Sequence, residues 1–441
     1  HNQTQKNMSY FHLNLILKGK LTVCCLLMLS VIPLNAQREA KQIGDFKESI
    51  SLNEHLRGTK RTLQYCPDGD EFVCVNGKNR YTRALYGSHS PFRVETSDRP
   101  VFAFYNNGRG GNISFKVILR DGTELALDRT GYCESRYSAG KRTYYLTDPS
   151  WGKGELRISV LALADMDGAI WRFSPSNMPK GAILRWQHGG ATGKRLSRNG
   201  DMGVDPADCF ELPAEATDLV TGELALQKEV YLVRGEVPEG YNVRKLYQQA
   251  EAASLALASH LKIETPDPYL NTLGGALVAA ADGIWDGQVW LHGAIGWRMP
   301  LSGWRAGYTG DALGWHDRAR THFDAYAASQ VTDVPNTIPH PAQDSTMNLA
   351  RSEKRWGTPQ YSNGYICRNP ERNNQMHHYD MNLCYMDELL WHFNWTGDTA
   401  YVRKMWPMIT RHLAWEKLNY DPDNDGLYDA YACIWASDAL Y

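Results

Sequence analysis

The run QMHHYDMNLCYMDELLWHFNWTGDTAYVRKMWPMITRHL, residues 375–413, decides the fold class. From Gln375 to Trp395 it sets Tyr379, Leu383, Met386, Leu390 and Phe393 at steps of four and three, the spacing that lines one face of an α-helix. Thr396-Gly397 breaks the pattern, and Asp398 is placed to cap a second helix whose Val402, Met405, Ile409 and Leu413 form another stripe. Two amphipathic helices joined by so short a turn are antiparallel neighbours. Working upstream, further helices are predicted over Asp311 to Ser329 and Tyr269 to Ile284. The segments Trp285 to Gly310 and Val331 to Asn374 are long, polar and rich in Gly, Trp, Arg and Pro. Long loops in a compact domain are usually functional. Helical hairpins with minimal turns at one end and long loops at the other build a barrel with one active face.

The character changes before residue 265. Val243 to Leu261 is rich in Ala, Leu, Gln and Glu with no Gly or Pro, which predicts a helix between domains. Earlier still, short alternating runs recur: Val101–Tyr105, Ile113–Leu119, Thr143–Leu146, Leu156–Leu163, Ala169–Phe173 and Ile183–Gln187. Asn106-Asn107-Gly108, Asp121-Gly122 and Asp167-Gly168 separate them as hairpin turns do. That spacing predicts an antiparallel sandwich. The expected fold is therefore multidomain β + α: a β-sandwich over 40–240, a helical linker over 241–265, and over 266–441 the N-terminal part of an (α/α)6 six-hairpin barrel. A closed barrel of that kind needs about twelve helices. The reading expects one truncated at the C-terminus, with the general base beyond Tyr441.

Met8 reads as the start, after a non-native leader of residues 1–7. Lys18 and Lys20, the apolar stretch Leu21 to Pro33 and Leu34-Asn35-Ala36 form a signal peptide over 8–36, too short to span a membrane. The expected product is exported, periplasmic or secreted, with no membrane attachment after cleavage. Cys66, Cys74, Cys133, Cys209, Cys367, Cys384 and Cys433 remain, an odd set too widely spaced for a disulfide scaffold or a zinc ribbon. Cys66 and Cys74 flank a Pro67-Asp68-Gly69 turn, either bridged across it or as separate thiols. A net charge of -2 argues against a nucleic-acid partner. Fourteen Trp and 24 Tyr suit either a large core or flat faces for sugar rings.

Gly307-Tyr308-Thr309-Gly310-Asp311-Ala312 resembles the Gly-Trp-Thr-Gly-Asp-Ala motif of inverting α-L-rhamnosidases, which are six-hairpin enzymes. The resemblance implies Tyr308 as a sugar platform and Asp311 as a hydroxyl acceptor. That family's general-acid Glu falls here at Trp304. Asn79 to Gly87, Gly296-Trp297-Arg298-Met299-Pro300 and Asp421 to Tyr428 resemble a group of secreted Bacteroidota proteins with a domain of unknown function of DUF4450 type, similar in layout to six-hairpin glycosidases. This implies periplasmic or surface glycan breakdown. In another six-hairpin group, the β-glucosidases, an acid follows a similar loop, and Cys433 occupies its place here.

Glycoside hydrolysis needs one carboxyl to protonate the leaving oxygen and another to activate water. Asp438 is the candidate general acid, with Asp311 and Asp429 as sugar contacts or the alternative acid. For Asp311 a helix N-cap is equally good physics. Trp297, Arg298, Trp304, Arg305 and Trp435 suit a platform with fork donors, or loop packing. His377 and His378 are adjacent, so they do not converge on one metal; either offers a sugar hydrogen bond. Asp421, Asp423 and Asp425 alternate before Gly426, as a weak calcium candidate or an Asx-rich turn; Ala432 stands where an EF-hand would close with Glu. No other cofactor is expected. The function expected is an exo-acting, inverting glycoside hydrolase for a plant or host oligo- or polysaccharide. The alternatives are a polysaccharide lyase using Asn374, His377 and Tyr379, or a non-catalytic glycan-binding protein.

Overall fold

A computed structural model describes residues 64–78, 83–106, 109–189, 219–237, 239–294, 298–332, 338–339, 359–360, 363–372, 381–421 and 423–428. The chain divides into two compact units, His1–Cys66 and Pro67–Tyr441, and almost every described element lies in the second. The expected leader and signal segment lie outside the described residues. No described helix is long and apolar enough to cross a membrane.

Among the described residues, fourteen strands form two antiparallel sheets. In chain order they are β1 (Cys66–Asp68), β2 (Glu71–Val75), β3 (Arg83–Leu85), β4 (Arg93–Thr96), β5 (Phe102–Asn106), β6 (Arg109–Ile118), β7 (Glu124–Ala126), β8 (Tyr132–Ser138), β9 (Lys141–Thr147), β10 (Glu155–Ala162), β11 (Gly168–Ser176), β12 (Ile183–Gly189), β13 (Val220–Ala225) and β14 (Val230–Gly235). One sheet runs β1-β2-β8-β9-β10-β11-β14; the other runs β13-β12-β6-β5-β4-β3, with β7 paired to β6. The sheets share one core, in which Trp171 of β11 meets Phe102 at 5.6 Å and Phe104 at 5.7 Å from the facing sheet, both edge-on. Edge-on contact sets the positive ring edge against the negative face. The predicted turns at Asp121-Gly122 and Asp167-Gly168 hold: Gly122 takes φ +88, Asp121 Oδ1 accepts the Thr123 N–H at 2.9 Å, and β10 pairs antiparallel with β11; Asn107-Gly108 lies outside the described residues.

Among the described residues six α-helices follow: α1 (Val243–Ala258), α2 (Pro268–Gly283), α3 (Gly307–Ala312), α4 (His316–Ala327), α5 (Met381–Thr396) and α6 (Thr399–Tyr420). The expected linker helix, α1, starts at the Asn242 cap and is docked on the sandwich rather than free. Its Leu246, Tyr247 and Ala250 pack on Leu161, Leu163 and Ile170, so β10 is buried on both faces. Asp267 caps α2 with Pro268 in its first turn. Gly397 takes φ +61, and Asp398 accepts the Ala400 and Tyr401 N–H groups at 3.0 Å each.

Two sequence expectations need correction. The helix expected over Asp311 to Ser329 is two helices, broken where Gly314 takes φ +73 and Trp315 N–H turns back to Gly310 O at 2.7 Å. Asp311 is therefore inside α3 and caps nothing. The apolar stripes on α5 and α6 are also rotated. On α5 the buried face is Asn382, Tyr385, Met386, Glu388, Leu389 and His392, while Leu390 is exposed. On α6 Tyr401, Met405, Met408, Ile409, His412 and Trp415 are buried and Leu413 is exposed. Polar side chains with internal partners took the core positions: Asn382 exchanges hydrogen bonds with the Ile366 backbone at 2.6 and 3.1 Å. Of the two arrangements open for Cys66 and Cys74, the structure has separate buried thiols.

Candidate functional site

The C-terminus of α2 is fastened to the sandwich by charge. Asp282 ends an alanine-rich turn and accepts the Tyr86 hydroxyl at 2.9 Å and Arg318 Nη1 at 2.5 Å, with His89 Nε2 3.4 Å away. Burial works against its charge, but His89 and Arg318 outweigh that and pull its carboxyl down to about 2. The last carbonyl of the helix, Gly283 O, receives Arg93 Nη2 at 2.5 Å and Arg298 Nη1 at 3.2 Å. Cations suit a helix C-terminus, where carbonyls lack helical partners. Arg298 also donates to His89 O at 2.5 Å and Trp285 O at 3.4 Å. Expected as a sugar-binding fork, Arg298 is instead placed as a tether between sheet and helix. Gly283 has to be glycine, since a Cβ there would meet the Tyr86 ring at 2.8 Å.

Beyond this clamp the chain runs through the Trp304 rim. Gly303 lies against α5 so closely that a Cβ would fall 1.9 Å from Met381 O. Trp304 is half-buried and its ring centroid lies 4.3 Å from that of His292. Arg305 is exposed and takes φ +63, the left-handed region that a side chain resists. Tyr308, on the first turn of α3, donates its hydroxyl to Asp387 Oδ2 of α5. Burial raises the Tyr308 hydroxyl well above its ordinary range, and Asp387 adds to the effect.

Directly behind sits Glu388, only 1% exposed. Burial pushes its carboxyl up to about 8, against a partial pull from the N–H groups of Arg305 and Gly307. Neither oxygen closes a hydrogen bond of normal geometry among the described residues. A Cβ on Gly307 would lie 2.4 Å from Glu388 Oε2. At neutral pH this is a protonated acid beneath the rim. Sequence reasoning missed both Asp387 and Glu388. The available signal was a carboxyl between Tyr385 and His392 at helical spacing, on the face now seen to be buried.

Asp311, expected as a catalytic or sugar-contacting carboxylate, is buried. His392 Nδ1 lies 2.9 Å from both of its oxygens and His316 Nδ1 2.7 Å from Oδ1. This arrangement ties α3 to α4 and α5, and favours an anchor. Tyr308 and Asp311 both turn toward α5, but only Tyr308 keeps partial exposure. Asp421, Asp423 and Asp425 have oxygens within 4.8 Å of one another. Asp421 accepts the Gly426 N–H at 3.3 Å and Asp425 the Leu427 N–H at 2.8 Å, as in an Asx-rich turn. Asp438, Asp429, Trp297, His377, His378 and Trp435 lie outside the described residues, as do Asn374 and Tyr379.

A comparison with curated proteins gives no match. Among solved structures, a bacterial glucoamylase complexed with acarbose is similar at 8% identity and a TM-score of 0.39, covering 69% of this chain and 56% of that one. The chain thus spans a little over half of that glucoamylase. Residues 107–237, which run from β6 through β14, match the family described as Domain of unknown function (DUF4450).

Proposed function

We propose that the protein is an exported glycoside hydrolase of the six-hairpin type, exo-acting and inverting on a plant or host oligo- or polysaccharide. The observation that supports this most is the Tyr308–Asp387 pair on the Trp304–Arg305 rim. It sets an aromatic ring against an exposed carboxylate, a few residues along the chain from Trp304 and Arg305, and such groups grip a sugar ring and its hydroxyls. In this reading Trp304 and Tyr308 carry the ring, Asp387 accepts a hydroxyl, and Asp438 protonates the leaving oxygen. A carboxylate on the opposite side activates water.

The test is release of reducing sugar from a panel of cell-wall and host glycans. Asp387→Asn should lower kcat/KM about 10- to 100-fold, the usual worth of a hydrogen bond to a charged group. Asp438→Asn should remove turnover. Trp304, at the position of an acid in the rhamnosidase-like motif, favours one second reading, a glycan-binding protein. Sugar binding without hydrolysis would establish that reading in place of the first, and an unsaturated product would replace both with a lyase.

A further inference from the structure

Helix α3 begins without a cap. The residue before it, Ala306, has no side chain that can accept a hydrogen bond, so the first N–H groups of the helix depend on other partners. Just upstream, Arg305 holds a left-handed conformation that costs energy unless the surroundings impose it. The Arg305 and Gly307 N–H groups at this start both pull on the Glu388 carboxyl, brought in from α5. It is almost fully buried, neither oxygen closes a hydrogen bond of normal geometry among the described residues, and a Cβ on Gly307 would press within 2.4 Å of Oε2. We propose that Glu388 is a positioning residue: reaching across from α5, it caps the start of α3 and holds the Arg305 turn that presents Trp304 and Tyr308.

The cap is the neutral carboxyl. Arg305 from the turn, Tyr308 from α3, Tyr326 from α4, and Asp387 and Tyr385 from its own helix are the charged and titratable groups that face it. Of these only Arg305 is a cation, and its side chain is exposed. An ionised Glu388 would thus be a buried charge without adequate compensation. The least costly escape is to lift the turn and let water in. The rim is then held below the titration of Glu388 and loosened above it.

Hydrogen–deuterium exchange over residues 302–309 tests this, with wild type and Glu388→Gln compared at the same pH so that intrinsic exchange cancels. Gln keeps the shape and a neutral acceptor. Near pH 6.5 the two should exchange alike. Near pH 9.5, about one and a half pH units above the titration of Glu388 near 8, wild type should exchange about 30-fold faster. Peptides over 156–173 in the sandwich should not differ. Glu388→Leu, which removes the acceptor, should exchange fast at both pH values. Equal exchange of wild type and Glu388→Gln near pH 9.5 overturns the proposal, whether or not the Leu variant folds. The consequence for turnover rests on the glycosidase reading, but the exchange contrast needs no substrate. A protein inert on every glycan with the contrast intact would sink that reading and leave this one standing.

Discussion

Replacing Asp282 by Asn keeps its shape and removes its charge from the junction of sandwich and helices. The carboxyl titrates at about 2 in the folded chain against 3.8 ordinarily, and its side chain is only 7% exposed. Each pH unit between those values is worth about 1.4 kcal/mol, so the charge contributes about 2 kcal/mol at neutral pH. The sign follows from the depressed value. The contribution is complete above the unfolded titration near pH 4 and is lost as pH falls toward 2. Around pH 3 about half remains. Urea unfolding, followed by far-UV circular dichroism, should show wild type more stable than Asp282→Asn by about 2 kcal/mol at pH 7. The gap should narrow to about 1 kcal/mol near pH 3. Equal stability at pH 7, or a gap that does not change with pH, would refute the argument that this ion cluster holds α2 to the sandwich.

Two further outcomes are expected. Gly307→Ala should cost about 1–3 kcal/mol, because the new methyl group meets the Glu388 carboxylate end at 2.4 Å; adding Glu388→Asp should recover part of it in a double-mutant cycle of thermal melts. Asp398→Ala, which frees the Ala400 and Tyr401 N–H groups, should cost about 1 kcal/mol and increase amide exchange in the first turn of α6 alone.

What could be read from the sequence was what local chemistry controls. Leu156, Ile158 and Val160 alternate because one face of β10 meets the core, and Asp398 caps its helix by short-range hydrogen bonds that need no tertiary context. The faces of α5 and α6 were misread because apolarity is only a proxy for burial. Leu390, Trp391 and Leu413 lie outward, while Glu388 lies inward and His392 and Asn382 lie inward with partners supplied by other segments, Asp311 and the Ile366 backbone. Pairings of that range leave no periodic trace. Arg298 reads as a ligand fork from its loop, and only the fold reveals that its donors end on three backbone carbonyls. Tyr308 was legible from its motif, but its partner Asp387 lies 79 positions along the chain.

The seating of α1 has a practical corollary for anyone dissecting the chain. Arg172 stacks over the Tyr247 ring at 4.3 Å and Lys141 reaches Glu251 at 2.5 Å, so the helix shields apolar Leu161, Leu163 and Ile170 from solvent. A cut just after Gly235 would leave that patch bare and invite aggregation. The severance point that keeps the sheets soluble lies past Ala258, with the helix retained as their outer cladding.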